Sequence, residues 1–321
     1  MKMMTNIILA TLLAATSCTG NGSASSTQNG TAADEAVAQS VPQFDADSAY
    51  GFTAAQCEFG PRVPGTEAHK RCGDMLERKL TGWADNVIVQ NAPVTTFDGK
   101  KLTARNIIAQ FNPEVEGRIL LLAHWDCRPW ADQDPDPSRR KEPVMGANDA
   151  ASGVAVLLEI ARQMHDVKPG LGVDILLTDV EDWGNENEDD TWALGTQYWA
   201  AHPHVNGYSP MYGILLDMVG AQGAQFAPEY YSMNFAPNVV KNVWDKAKKA
   251  GYGNYFPFVD GGGVTDDHVT VNRAGIPCID IIDMRNAGFF DAWHTTHDTM
   301  DNIDRNTLKA VGQTLLQLIY N

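Results

Sequence analysis

Residues Arg118-Ile-Leu-Leu-Leu-Ala-His124 are apolar along the whole interior of the run, with no polar residue at alternate positions. A strand with one face in water alternates. A run without alternation belongs to a strand covered on both faces, as in sheets flanked by helices on either side. Val173–Thr178 and Tyr212–Leu216 read as two more buried strands, and Pro277–Ile282 as another. Between them the period changes: Ala150–Met164 sets Val154, Leu157, Leu158 and Ala161 at helical spacing. Pro237–Ala250 reads as a helix and Arg305–Tyr320 as a closing amphipathic helix. At the start, Asn86–Val89 and Asn106–Phe111 flank a turn at Phe97-Asp98-Gly99-Lys100, which predicts an antiparallel pair. Strands alternating with helices imply an α/β fold: a single domain with a mixed, mainly parallel central sheet and helices on both faces.

The chain of 321 residues is long enough to bury one sizeable core. Its net charge of −16 argues against nucleic acid or anionic membrane surfaces as partners, since both repel it. At the N-terminus, Lys2 precedes an apolar run, Ile7 to Ala15, that ends in Ala15-Thr16-Ser17-Cys18. Residues 1–17 are thus expected to be an export signal, too short to span a bilayer as a stable helix. The small residues before Cys18 look like a bacterial lipoprotein signal, in which that cysteine is acylated. The corresponding location is the periplasm, or the outer membrane of a Gram-negative bacterium through a lipid anchor. Residues 18–40 are rich in Ser, Gly, Thr, Asn and Ala and read as a flexible tether, leaving 41–321 as the folded domain. Export permits disulfides among Cys57, Cys72, Cys127 and Cys278, and nothing in their spacing selects a pairing.

In open α/β sheets, functional groups gather beyond the carboxyl ends of the strands. Past the first buried strand comes His124-Trp125-Asp126, and at the start of the next helix Asn148-Asp149. Glu181-Asp182 follows the next strand, Asp217 closes the one after, and Trp293-His294-Thr295 lies beyond the last. Taken singly, an aspartate at a helix start is ordinarily an N-cap and a buried histidine ordinarily a satisfied core residue. Carboxylates and imidazoles converging on one sheet edge would repel and resist desolvation, and a divalent cation is the simplest partner. Mixed His/Asp donors suit zinc better than magnesium or calcium. His69, His165, His202 and His204 lie in polar surroundings and read as surface residues, as does Asp266.

The series His-x-Asp, then Asn148-Asp149-x-x-Ser152-Gly153, then Glu181-Asp182, Asp217 and His294-Thr295 resembles the zinc aminopeptidase superfamily. Within it the chain looks closest to zinc-type glutaminyl-peptide cyclotransferases, which convert an N-terminal glutamine to pyroglutamate. The resemblance runs from about Cys57 to Asp304 and includes Gly60-Pro61-Arg62-Val63-Pro64-Gly65. Trp293 before the metal histidine, Thr265-Asp266-Asp267-His268 and Leu215-Leu216-Asp217-Met218-Val219-Gly220 favour the cyclase over the peptidase. One departure is Asp182, where many relatives carry Glu.

The resemblance implies Asp149, Asp182 and His294 as ligands of one zinc ion, with peptide or protein N-termini as substrate. It implies Glu181 as general base and then acid, and Asp217 and Asp267 hydrogen-bonded around it. Trp293 and Trp192 become apolar walls against the substrate. The main rival is a two-zinc aminopeptidase in which His124 and Asp217 hold a second ion, Asp149 bridges, and Glu181 activates water. A rival of another class is a lipid-anchored binding protein that keeps the fold without catalysis; the intact Glu181 and full ligand set argue against it.

Overall fold

The computed structural model describes residues 40–285 and 288–321. The expected signal and all but the last residue of the expected tether lie outside the described residues. In chain order the elements are α1 (Ala46–Cys57), α2 (Glu67–Trp83), β1 (Asn86–Thr95), β2 (Lys101–Phe111), β3 (Arg118–His124), α3 (Ala151–Asp166) and β4 (Gly172–Thr178). They continue with α4 (Leu194–Ala201), β5 (Gly213–Asp217), α5 (Tyr230–Phe235), α6 (Pro237–Lys249), α7 (Asp267–Arg273), β6 (Cys278–Ile282) and α8 (Arg305–Tyr320).

The six strands form one sheet in the order β1-β2-β4-β3-β5-β6. β4, β3, β5 and β6 run parallel. The β1–β2 hairpin closes one edge antiparallel, in register from Asn86↔Gln110 to Thr95↔Lys101, with β2 antiparallel to β4. The run in β3 has the two-faced burial its sequence requires. Ile119, Leu121 and Ala123 pack into one cluster with Val154, Leu157, Leu76, Val243 and Leu315 from α3, α2, α6 and α8. Leu120 and Leu122 pack into a second cluster with Trp199 of α4 and Val271 of α7. Each fully buried Leu, Ile or Val contributes roughly 1.5–3 kcal/mol relative to exposure, so these two layers hold the sheet edge rigid.

The elements not read from sequence are α1, α2, α4, α5 and α7. The first two start at capping side chains: Asp45 accepts from the backbone N–H groups of Asp47 and Ser48, and Thr66 from that of His69. Cys57, Cys72, Cys127 and Cys278 are all free thiols. No described helix is long and apolar enough to cross a membrane.

Candidate active site and metal centre

The parallel strands all point their carboxyl ends to one edge, and the loops that leave them carry the polar residues. Asp149 is not an N-cap: Ala150 occupies that position of α3 and makes no side-chain cap bond. The 148–149 turn is held from below instead. Asp298 Oδ1 and Oδ2 accept from the backbone N–H groups of Asn148 (2.8 Å) and Asp149 (3.0 Å), and burial pushes the Asp298 carboxyl up to about 8.

The remainder of the Asn-Asp-x-x-Ser-Gly signature is structural. Asn148 Oδ1 accepts from Gly220 N–H and Ser152 Oγ from Val219 N–H, which tie α3 to the end of β5. At Gly153 a Cβ would lie 2.3 Å from the Leu216 carbonyl oxygen, so only glycine lets the helix approach this closely.

Asp126 shapes the other ligand loop. Its two oxygens accept from the backbone N–H groups of Glu181 and Asp182, both at 3.2 Å. The loop then presents both acidic side chains to a cavity of about 330 Å³, lined also by Asp149, Trp192, Asp217, Asp266, Trp293 and His294. A larger surface hollow of about 840 Å³ lies against α6 between Trp244 and Phe258 and contains none of these residues.

His294 Nε2 stands 3.2 Å from Asp182 Oδ1 and 3.6 Å from Asp149 Oδ2. Donor atoms of Asp149, Asp182 and His294 all lie within 4.8 Å of one another. Asp182 Oδ2 is buried with no hydrogen-bond partner among the described residues, an expensive condition unless a cation takes it. Two carboxylates and one imidazole with a further position left open match the donor set of a catalytic zinc site, so the residues present fit that ion. A second group overlaps the first: His124 Nε2 is 3.0 Å from Asp149 Oδ1 and 3.3 Å from Asp217 Oδ1. Its Nδ1 is 3.4 Å from Asp126 Oδ1.

Burial pushes Glu181 well above the usual carboxylate range, against the pull of His124 and with Asp266 and Asp182 adding to the rise. Burial and then Asp149 raise Asp217 to about 6. Burial and then Asp217 raise Asp266 as well. The Trp293 ring stacks on the His294 imidazole at 3.8 Å and 20°. Trp192 lies parallel to the same imidazole at 6.2 Å and 13°.

Four sequence expectations need correction. Asp266, read as a solvated loop residue, is 5% exposed and lines the cavity. Asp267, expected beside Glu181, sits beneath the cavity, where its Oδ2 accepts from Thr178 Oγ1 at 2.7 Å. The helix start decides this: Asp266 is the extended cap residue of α7 and Asp267 its first helical residue. His69, read as surface, is buried, with Nε2 2.8 Å from Asp179 Oδ1 and its ring stacked on Trp125 at 4.1 Å. The His204 side chain is likewise enclosed and accepts from Trp199 Nε1 at 3.1 Å. A polar sequence neighbourhood did not reveal these distant partners. Sequence reading also passed over the supporting roles of Asp126 and Asp298, although Asp126 stands in the His-x-Asp signature.

A family model described as peptidase family M28 matches residues 106–319. Among solved structures, glutaminyl cyclase of Bacteroides thetaiotaomicron bound to N-acetylhistamine is 51% identical with a TM-score of 0.86, covering 88% of this chain and 99% of that one. A leucine aminopeptidase precursor from Bacteroides thetaiotaomicron VPI-5482 is 52% identical with a TM-score of 0.85 and the same coverage. Bovine glutaminyl-peptide cyclotransferase is 24% identical over 253 residues, which span 65% of this chain and 64% of that protein's length.

Proposed function

Because the chain belongs to peptidase family M28, we propose that it cyclises the N-terminal glutamine of peptides and proteins to pyroglutamate, releasing ammonia. The observation that carries this reading is one cavity lined together by the three candidate ligands, Glu181 and the indoles of Trp192 and Trp293, with Trp293 stacked on His294. An aromatic wall beside the ligands suits a planar carboxamide. The similarity to glutaminyl cyclases along nearly their whole length supports the same conclusion.

Asp149, Asp182 and His294 would hold one zinc ion, which supplies Lewis-acid polarisation of the γ-carboxamide oxygen. The protein supplies proton handling and orientation. Glu181 removes the proton that the substrate's α-amine loses as its nitrogen bonds to the carboxamide carbon. It returns that proton to the amide nitrogen, which leaves as ammonia. An α-amine titrates near about 8, so it is largely protonated at neutral pH and needs such a base. Asp217 and Asp266 line the cavity with Glu181, and burial raises the affinity of all three carboxyls for protons. Trp192 and Trp293 give the cavity apolar walls that disfavour water, which favours ring closure over hydrolysis. His124 bonds to Asp149 and Asp217 and steadies both.

The test offers purified protein a Gln-peptide and a Leu-peptide. Pyroglutamate and ammonia without cleavage support the cyclase, and free leucine rejects it. The second reading, a two-zinc aminopeptidase, has the overlapping His124, Asp149 and Asp217 group in its favour. Metal analysis separates them, with one tightly held zinc for the cyclase and two for the peptidase. We also place the enzyme outside the cytoplasm, on the strength of the apolar segment ending at Cys18. A Cys18→Ser variant that leaves the membrane fraction supports a lipid anchor, and unchanged fractionation rejects it.

A further inference from the structure

We propose that Arg128 and Asp132 form a clamp that positions two of the three metal ligands, Asp182 and His294, and thereby sets the affinity for zinc. The inference rests on the zinc reading above and concerns residues that no signature in the sequence singles out.

Arg128 lies in the loop after β3, and its side chain is 2% exposed. Its Nε and Nη2 donate to Asp132 Oδ1 (2.9 Å) and Oδ2 (2.6 Å), a forked pair that fixes the guanidinium plane. Its Nη1 donates to the Asp182 carbonyl (3.1 Å), Asp182 Oδ1 (3.3 Å) and the Gly184 carbonyl (3.3 Å). The rings of Trp130 and Trp192 pack against the guanidinium at 5.0 and 4.8 Å. Trp192 in turn covers Gly184 so closely that a Cβ there would lie 2.0 Å from the indole. One fixed charge therefore grips both the main chain and the carboxylate of a ligand, and holds a cavity wall as well.

Asp132 carries the clamp to the second ligand. Its Oδ1 is 3.7 Å from His294 Nδ1, a buried nitrogen without a hydrogen-bond partner. If Nε2 gives its lone pair to a metal, Nδ1 must carry the hydrogen, and Asp132 faces it as the acceptor. Carboxylates in this position fix the tautomer and raise the basicity of a ligating imidazole. The same segment holds the histidine loop through its main chain. Gln133 N–H donates to the His294 carbonyl at 3.1 Å, and Asp134 Oδ2 accepts from Thr296 N–H at 2.9 Å.

Arg128 Nη1 and His294 Nε2 both face Asp182 Oδ1, at 3.3 and 3.2 Å, while Oδ2 is buried without a hydrogen-bond partner. Chain residues 128–134 thus join the loops at 182–184 and 294–296 into one unit.

The experiment removes zinc from the purified protein and titrates zinc back in competition with a chromophoric chelator. Asp132→Ala is expected to lose about 10- to 100-fold in zinc affinity. Asp132→Asn should fall between, because it keeps an acceptor without the charge. Arg128→Lys should resemble Asp132→Ala, since an ammonium cannot make the forked bond. Unchanged melting of the zinc-free variants shows that the fold is not what was lost. If Asp132→Ala fails to fold, Asp132→Asn decides by the same criterion. A variant that binds zinc within twofold of a zinc-binding wild type overturns the clamp alone. Wild-type protein that takes up no zinc overturns the zinc reading and the clamp together.

Discussion

Replacing Asp126 by Asn tests whether the second residue of the His-x-Asp signature acts by holding a loop and not by touching substrate. Asp126 is fully buried, and each of its oxygens takes one backbone N–H, from Glu181 and from Asp182. Asparagine has the same size but only one acceptor oxygen, so its amide NH₂ must face one of those donors. A buried donor left unpaired costs about 1–3 kcal/mol. The damage falls on the base and on a metal ligand at once. A shift of about 1 Å in such groups lowers turnover by about 10²-fold. Steady-state kinetics on a Gln-peptide, thermal unfolding and zinc content should be measured on the same preparation. The expected result is a loss of about 10²-fold in kcat/KM together with a lower melting temperature. A variant with kcat/KM within threefold of wild type and unchanged melting would show that the loop is held by something else.

Glu181→Gln should bind zinc as the wild type does and lose about 10²- to 10⁴-fold in turnover; near-full activity would remove Glu181 from the base role. Asp217 bears on the pH dependence of the zinc-free protein, because its folded-state carboxyl is raised to about 6 from an ordinary 3.8. The folded state then holds a proton that the unfolded chain has released, so stability falls as pH rises from about 4 to about 6 and levels above. At 1.36 kcal/mol per pH unit, zinc-free wild type should lose about 3 kcal/mol more than Asp217→Asn across that window, read from denaturant curves. Parallel curves would reject the assignment. Gly153→Ala should cost about 3 kcal/mol or more by forcing α3 off β5, and a loss under about 1 kcal/mol would show that the contact yields.

Much of the sheet was legible because burial on both faces leaves an unbroken apolar run, as in β3, and because α8 carries a full helical period from Arg305 to Tyr320. The short helices were not. α4 follows a left-handed Ala193 and has only eight residues, too few for a period to emerge. α7 begins within an acidic stretch, so its first residue could not be placed from composition. That one-residue ambiguity hid the burial of Asp266 at the cavity wall. Residues that adjoin strand ends, such as Asp149, Glu181, Asp182 and Asp217, were found because the sheet itself predicts where its edge lies. Arg128, Asp132 and Asp298 act through loops whose paths no local pattern encodes.

The strand order has a further consequence. β3 sits between β4 and β5, so the chain crosses the sheet one way after β3 and returns past it after β4. Asp149, Asp182 and Asp217 consequently come from the segments at the ends of β3, β4 and β5, and His294 arrives only after β6. A fragment that ends before His294 lacks part of the coordination shell. Ion uptake therefore reports that the last strand has docked, and a nascent or truncated chain has little means of sequestering metal before its architecture is complete.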